Sequence, residues 1–231
     1  MSSTENAAPV PDTPSGAMIR TLAGITMLSG FLVVLVFQLT KPMIEENQRQ
    51  AIESAVYEVI PGAVEKREFV VTETGIVPAE SGAAGITIHA GYDADGKLLR
   101  IATDASAIGY AGPIDLLYSY EPACRCIRAI KVLKMTETPG LGDKIITDPV
   151  FVANFDRLDA RLDESGGKLA HPIVTVKNGS KKKDWEIDAI SGATISSKAV
   201  GRALDASAEA LLPKLSAHLA DIQPQPSAAG Q

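Results

Sequence analysis

Cysteine, histidine and aromatic residues are scarce in this 231-residue chain, and basic residues are outnumbered: 22 Lys and Arg stand against 28 Asp and Glu, a formal net charge of -6. That balance excludes nucleic acid as a partner, because phosphate backbones demand a basic face. The one dense basic run, Lys181-Lys182-Lys183, sits beside a turn signal and reads as a solvated hairpin end. Metal knuckles are excluded too, since the three histidines (His89, His171, His218) are scattered and the two cysteines form a lone C-x-C, Cys124 and Cys126. If Ala123 to Val132 is a strand, those cysteines share a face, as two packed thiols or a local disulfide. Small packed residues is the reading favoured by the usual behaviour of free cysteine. No G-x-x-x-x-G-K-[ST] loop and no three-glycine dinucleotide fingerprint occurs, which excludes a P-loop triphosphatase and a Rossmann domain.

What is present begins with an anchor. Residues 1–17 are rich in Ser, Pro and Ala without periodicity and read as a disordered leader. Thr21 to Thr40 carries no charge, and at about 1.5 Å per residue it spans roughly 30 Å, the thickness of a bilayer core. Glu5 and Asp12 in the leader and a poor cleavage site after the apolar run argue against a cleaved signal peptide. Arg20 and Lys41 flank the span almost symmetrically, so charge says little about orientation.

Beyond the span, apolar residues from Met43 to Ile60 recur at helical spacing until Pro61-Gly62 stops them. Strand patterns follow at Glu68 to Glu73, then at Ile86 to Tyr92 and Leu98 to Thr103, which flank an Asp93-Ala94-Asp95-Gly96 hairpin signal. Ile114 to Tyr120 and Cys126 to Met135 continue the series, and Pro149 to Leu158 reads as a short helix. Ile173 to Val176 and Asp184 to Asp188 flank a second turn signal, Asn178-Gly179. Ser196 to Leu212 is a helix that Pro213 kinks or restarts. Strands gathered centrally with helices at both ends define an α+β domain with a mostly antiparallel sheet flanked by helices.

Two segments carry chemistry. Asp188-Ala189-Ile190-Ser191-Gly192-Ala193-Thr194 lies between a strand and the last helix, where small residues let a ligand approach the backbone. Ser196 and Ser197 supply N-cap hydroxyls, and the helix start offers free amides and a positive dipole end to a phosphate. Thr136-Glu137-Thr138-Pro139-Gly140-Leu141-Gly142-Asp143-Lys144 demands a tight backbone path that could lie against a flat ligand, with Glu137 and Thr138 as polar contacts. Gly109-Tyr110-Ala111-Gly112-Pro113 repeats the small-and-tight pattern and offers one aromatic.

In order along the chain, G-Y-x-G-P-I at Gly109 to Ile114, E-T-P-G-L-G at Glu137 to Gly142 and D-x-x-S-G-A-T at Asp188 to Thr194 resemble the FMN-binding subunits of membrane redox complexes. The G subunit of the Rnf electron-transport complex is the nearest resemblance, tipped by Asp143-Lys144-Ile145, and the C subunit of the sodium-pumping NADH:quinone reductase is the next. The resemblance implies FMN joined through its phosphate to Thr194 by a flavin transferase, with Asp188, Ser191, Gly192 and Ala193 in the attachment motif. Glu137, Thr138, Gly140, Leu141, Gly142 and Tyr110 would complete the cofactor site. It implies a transmembrane helix over 18–40, a juxtamembrane helix over 41–62, an FMN-binding domain over 63–215 on the periplasmic side of a bacterial inner membrane, and a flexible tail over 216–231. Electron relay beside the other membrane and peripheral subunits of an ion-moving ferredoxin:NAD complex would follow, with no catalytic side chain, no metal and no complete enzyme in this chain alone. A tethered adaptor without redox chemistry is the competing reading. Tyr118 to Arg128, with its C-x-C, lies outside the resemblance.

Overall fold

The computed structural model describes residues 15–223; the expected leader up to residue 14 and the tail from 224 lie outside the described residues. A helix, α1, runs Ser15–Val59 without interruption at Pro42, so the expected spanning and juxtamembrane helices are one element. Its apolar window has mean hydropathy 2.2, and no part of it is buried among the described residues. The chain divides into two compact units at Arg49/Gln50.

The second unit is built on a seven-stranded antiparallel sheet. Its strands are β1 (Glu65–Val71), β2 (Ile76–Pro78), β3 (Ile86–Tyr92), β4 (Leu98–Ile108), β5 (Pro113–Glu121), β6 (Cys126–Lys134) and β7 (Leu158–Asp159), in the order β2-β1-β3-β4-β5-β6-β7. The Asp93 turn is secured by its own side chain, whose Oδ1 accepts the amides of Asp95 and Lys97, and Gly96 takes the positive φ of 77°. β4 extends five residues past Thr103 because its ladder with β5 continues to Ile108↔Pro113.

Alternation along the strands sends side chains to two cores. Ile101, Leu116, Tyr118 and Ile127 face α4 (Thr194–Ala217) and are fully buried with its Val200, Leu204 and Leu211. On the other face Ala102 and Leu117 pack against Ala55, Val56 and Val59 at the end of α1 and against Ile60 just after it. Two short helices, α2 (Lys144–Thr147) and α3 (Pro149–Val152), follow β6. The Asp148 carboxylate caps α3 by accepting the amides of Val150 and Phe151.

Several expectations are corrected. Cys124 sits in the β5–β6 turn rather than in a strand, and it is disulfide-bonded to Cys126 across Arg125, whose φ is 53°. The packed-thiol reading therefore fails. β8 (Val174–Val176) and β9 (Glu186–Asp188) pair in parallel, so the Asn178-Gly179 turn does not close a hairpin; the chain runs on through the lysines before β9 begins. Lys181 is not merely solvated, because its Nζ donates to Oδ1 of buried Asn154. α4 starts two residues earlier than the pattern indicated and continues through Pro213. Residues 219–222 form a 3₁₀ turn with Ile222 buried and its carbonyl accepting the Tyr92 hydroxyl, so this part of the expected tail is packed.

Candidate functional site

The three motifs converge on one open cleft of about 470 Å³, lined by Tyr110, Glu137, Thr138, Leu141, Gly142 and the run Gly192 to Ser196. Each wall has a local cause. Gly109-Tyr110-Ala111-Gly112 is the turn joining β4 to β5, closed by the Gly109 amide donating to the Gly112 carbonyl at 2.8 Å. Thr138 to Gly142 is a tight turn in which the amides of Leu141 and Gly142 both donate to the Thr138 carbonyl, with Gly140 at φ 78°. Gly192 at φ 84° swings the chain from β9 into α4.

The start of α4 is the anion-seeking wall. Ala193, not a serine, is the N-cap, and it makes no side-chain hydrogen bond. Ser196 and Ser197 instead sit buried inside the first turns. The Ser197 hydroxyl donates to the Ala193 carbonyl and accepts the Ile190 amide, locking the corner. The amides of Thr194, Ile195 and Ser196 take no acceptor among the described residues. These are the donors a 24-residue helix leaves unpaired, at its positive dipole end. Thr194 is exposed at the first helical position, and its hydroxyl has no partner among the described residues.

Glu137 ties the walls together. One carboxylate oxygen accepts the amides of Tyr110 (2.9 Å) and Ala111 (3.1 Å), and the other accepts the Ser196 hydroxyl at 2.5 Å. Burial pushes this carboxyl up, but the bonds from Ser196, Ala111 and Tyr110 outweigh it and hold the group below its ordinary range. Around it Tyr110, Leu141 and Ile195 form an exposed apolar rim, 71%, 51% and 50% accessible.

Eight of the eleven residues expected at the site from the sequence line the cleft, and Asp188, Ser191 and Gly140 do not. Asp188 points away: its carboxylate accepts the amides of Gly179 and Ser180, and its backbone is gripped by buried Asn154. Of the two other lining residues, Ile195 was not expected there, and Ser196 was expected only as a capping hydroxyl at the helix start. Ser196 carried a visible signal as a serine near a helix start, but its tie to Glu137 joins residues 59 apart and left no local trace.

The donor set suits a phosphate ester continued by a flat ring: free amides and a free hydroxyl at one end, a shallow apolar rim at the other. Such a cleft, on an antiparallel sheet in a chain that also carries an apolar helix of membrane-spanning length, defines an anchored cofactor-binding protein. Residues 109–209 match the FMN-binding domain family, and residues 20–59 match the RnfG N-terminal region. The G subunit of the ion-translocating oxidoreductase complex of Pseudomonas aeruginosa is 31% identical over 194 residues, 81% of this chain and 86% of that protein. The protein of the same description from Methanosarcina acetivorans is 29% identical over 190 residues, 81% and 89% of the two chains. The G subunit of the proton-translocating ferredoxin:NAD(+) oxidoreductase complex of Clostridium ljungdahlii is 26% identical, covering 84% and 89%. Among solved structures, NqrC of Shewanella oneidensis shares the fold, with TM-score 0.52 and 19% identity over 77% of this chain and 96% of that one. The chain belongs to the family of G subunits of ion-translocating oxidoreductase complexes. It is a single-pass membrane protein carrying an FMN-binding domain.

Proposed function

We propose that the chain relays electrons through FMN held as a phosphoester on Thr194, within an ion-translocating ferredoxin:NAD oxidoreductase complex. The carrying observation is the Thr194 hydroxyl on the first turn of α4, unpartnered among the described residues, beside three free amides of residues that line the cleft. A phosphodiester keeps about one negative charge, which the amides and the dipole favour. Tyr110, Leu141 and Ile195 would present the apolar rim to the ring, and Gly192 and Ala193 permit close approach of the phosphate. Thr138 offers a polar contact across the cleft, while Gly140, Ser191 and Asp188 shape the walls from outside the lining. FMN supplies the redox chemistry, and the protein supplies position and electrostatics.

In this reading the chain is one redox subunit of the translocase, working beside other membrane and peripheral subunits. The exposure of Thr194 leaves it open to the flavin transferase that forms the ester. By likeness to the family, the FMN domain lies on the periplasmic side of a bacterial inner membrane. Ultraviolet illumination of a denaturing gel tests the attachment. Wild type made with the transferase gives a fluorescent band and a mass increased by FMN less one water, and Thr194→Val gives neither. A dark wild-type band removes the covalent reading.

A further inference from the structure

Among the described residues, Glu137 is the only charged side chain in the wall of the cleft, and it is buried, 7% accessible. It does not reach outward: both oxygens are taken by internal donors, the amides of Tyr110 and Ala111 and the hydroxyl of Ser196. The glycines around it serve the carboxylate. A Cβ at Gly109 would collide with one oxygen, and at Gly142 it would lie 2.5 Å from the other. Bracing alone does not require a charge, since an amide carbonyl also accepts two N–H bonds. Burying a charge is costly, so its presence in this wall calls for a use of the charge itself.

Given the reading of the cleft as the flavin site, we infer that Glu137 is a positioning residue whose buried negative charge lowers the reduction potential of the flavin, with the Ser196 hydroxyl moderating that charge. Reduction adds negative charge to the ring, and a fixed anion in the adjoining wall disfavours it. The hydrogen bond from Ser196 draws part of that charge away from the cleft. The two residues therefore act on the potential in opposite directions. Because Ser196 meets Glu137 through its side chain, the first-turn amides of α4 stay free for the phosphate.

The test is spectroelectrochemical titration of the full-length, flavin-loaded chain in detergent. In Glu137→Gln the midpoint rises by about a tenfold change in the reduction equilibrium, roughly 30 mV for a two-electron couple. In Ser196→Ala, where the carboxylate loses its donor, the midpoint falls. A purely structural role gives no such opposition of sign. An unchanged midpoint in loaded Glu137→Gln, or shifts of one sign in both variants, overturns the inference. Should Glu137→Gln fail to accumulate, Ser196→Ala decides alone, and an unchanged or raised midpoint overturns it. A wild-type chain without flavin overturns the functional reading itself, before any titration, so the two failures are distinct.

Discussion

Around the cleft, glycine is required for two different reasons, and the two give different mutational outcomes. At Gly140 (φ 78°) and Gly192 (φ 84°) an added Cβ meets nothing within 4 Å, so the constraint is backbone conformation alone. Alanine there costs about 1–2 kcal/mol, the penalty of the left-handed region. At Gly142, φ lies outside that region, and the Cβ would meet Glu137 Cβ at 2.7 Å and Ser196 Oγ at 2.8 Å. Gly142→Ala should cost about 1–3 kcal/mol through overpacking, and it should also displace the carboxylate. Urea unfolding of the three variants separates the cases: Glu137→Ala removes the carboxylate oxygen that lies 2.5 Å from the new Cβ but keeps its own Cβ, so in that background the Gly142→Ala penalty shrinks in part, and the Gly140 and Gly192 penalties persist in full. Glu137 also imposes a pH dependence. Its folded pKa lies below the ordinary 4.5, so its stabilisation is complete above that value and is lost as pH falls through the folded pKa. Urea midpoints followed from pH 7 to 3 should fall less in Glu137→Gln than in wild type. Equal acid slopes would contradict the depressed pKa.

At the scale of elements, much local structure was legible, although β1 starts three residues before its expected Glu68 and the short β2 that pairs with it across a local turn was not expected. β3 matches its expected bounds residue for residue, and β5 and β6 match within one residue, because alternation and turn chemistry are written in neighbouring residues. The parallel pairing of β8 and β9 was not legible, since the partner across a parallel pair is not fixed by the turn between the strands. Ordering the site residues into three walls was legible from the motifs. Their joining through one buried carboxylate was not, because it depends on a contact between residues 137 and 196. The same non-local packing governs α4, where Gly201 faces β8 and a Cβ would collide with the Thr175 side chain. Gly201→Ala should loosen α4 against β8, and Thr175→Ala should restore part of the loss. Thermal unfolding of the single and double variants measures that coupling; strict additivity would place the glycine's importance elsewhere.

On the scale of the whole molecule, α1 belongs to two environments. Apolar side chains such as Phe31 (62% accessible), Val33 (69%) and Leu39 (67%) have no cover among the described residues, and the family's membrane setting accounts for them. From Gln50 onward the same helix is part of the domain: Ala55, Val56 and Val59, with Ile60 just after it, fill the second core over Ala102 and Leu117. Arg100 donates to the Val59 carbonyl, and Lys131 pairs with Glu58. The two compact units therefore meet at residue 49/50, inside the helix and ahead of the Pro61-Gly62 stop that ends the helical pattern. Chains starting at Gln50 and at Pro61 should behave differently. The first should be soluble and keep the unfolding midpoint of the domain. The second loses Val56, Val59 and Ile60, each contributing about 1.5–3 kcal/mol when fully buried, and it exposes Ala102 and Leu117. Urea denaturation of the two proteins decides the point: a loss of several kcal/mol on removing residues 50–60 is expected, and equal stability would show that the last turns of α1 are only a tether.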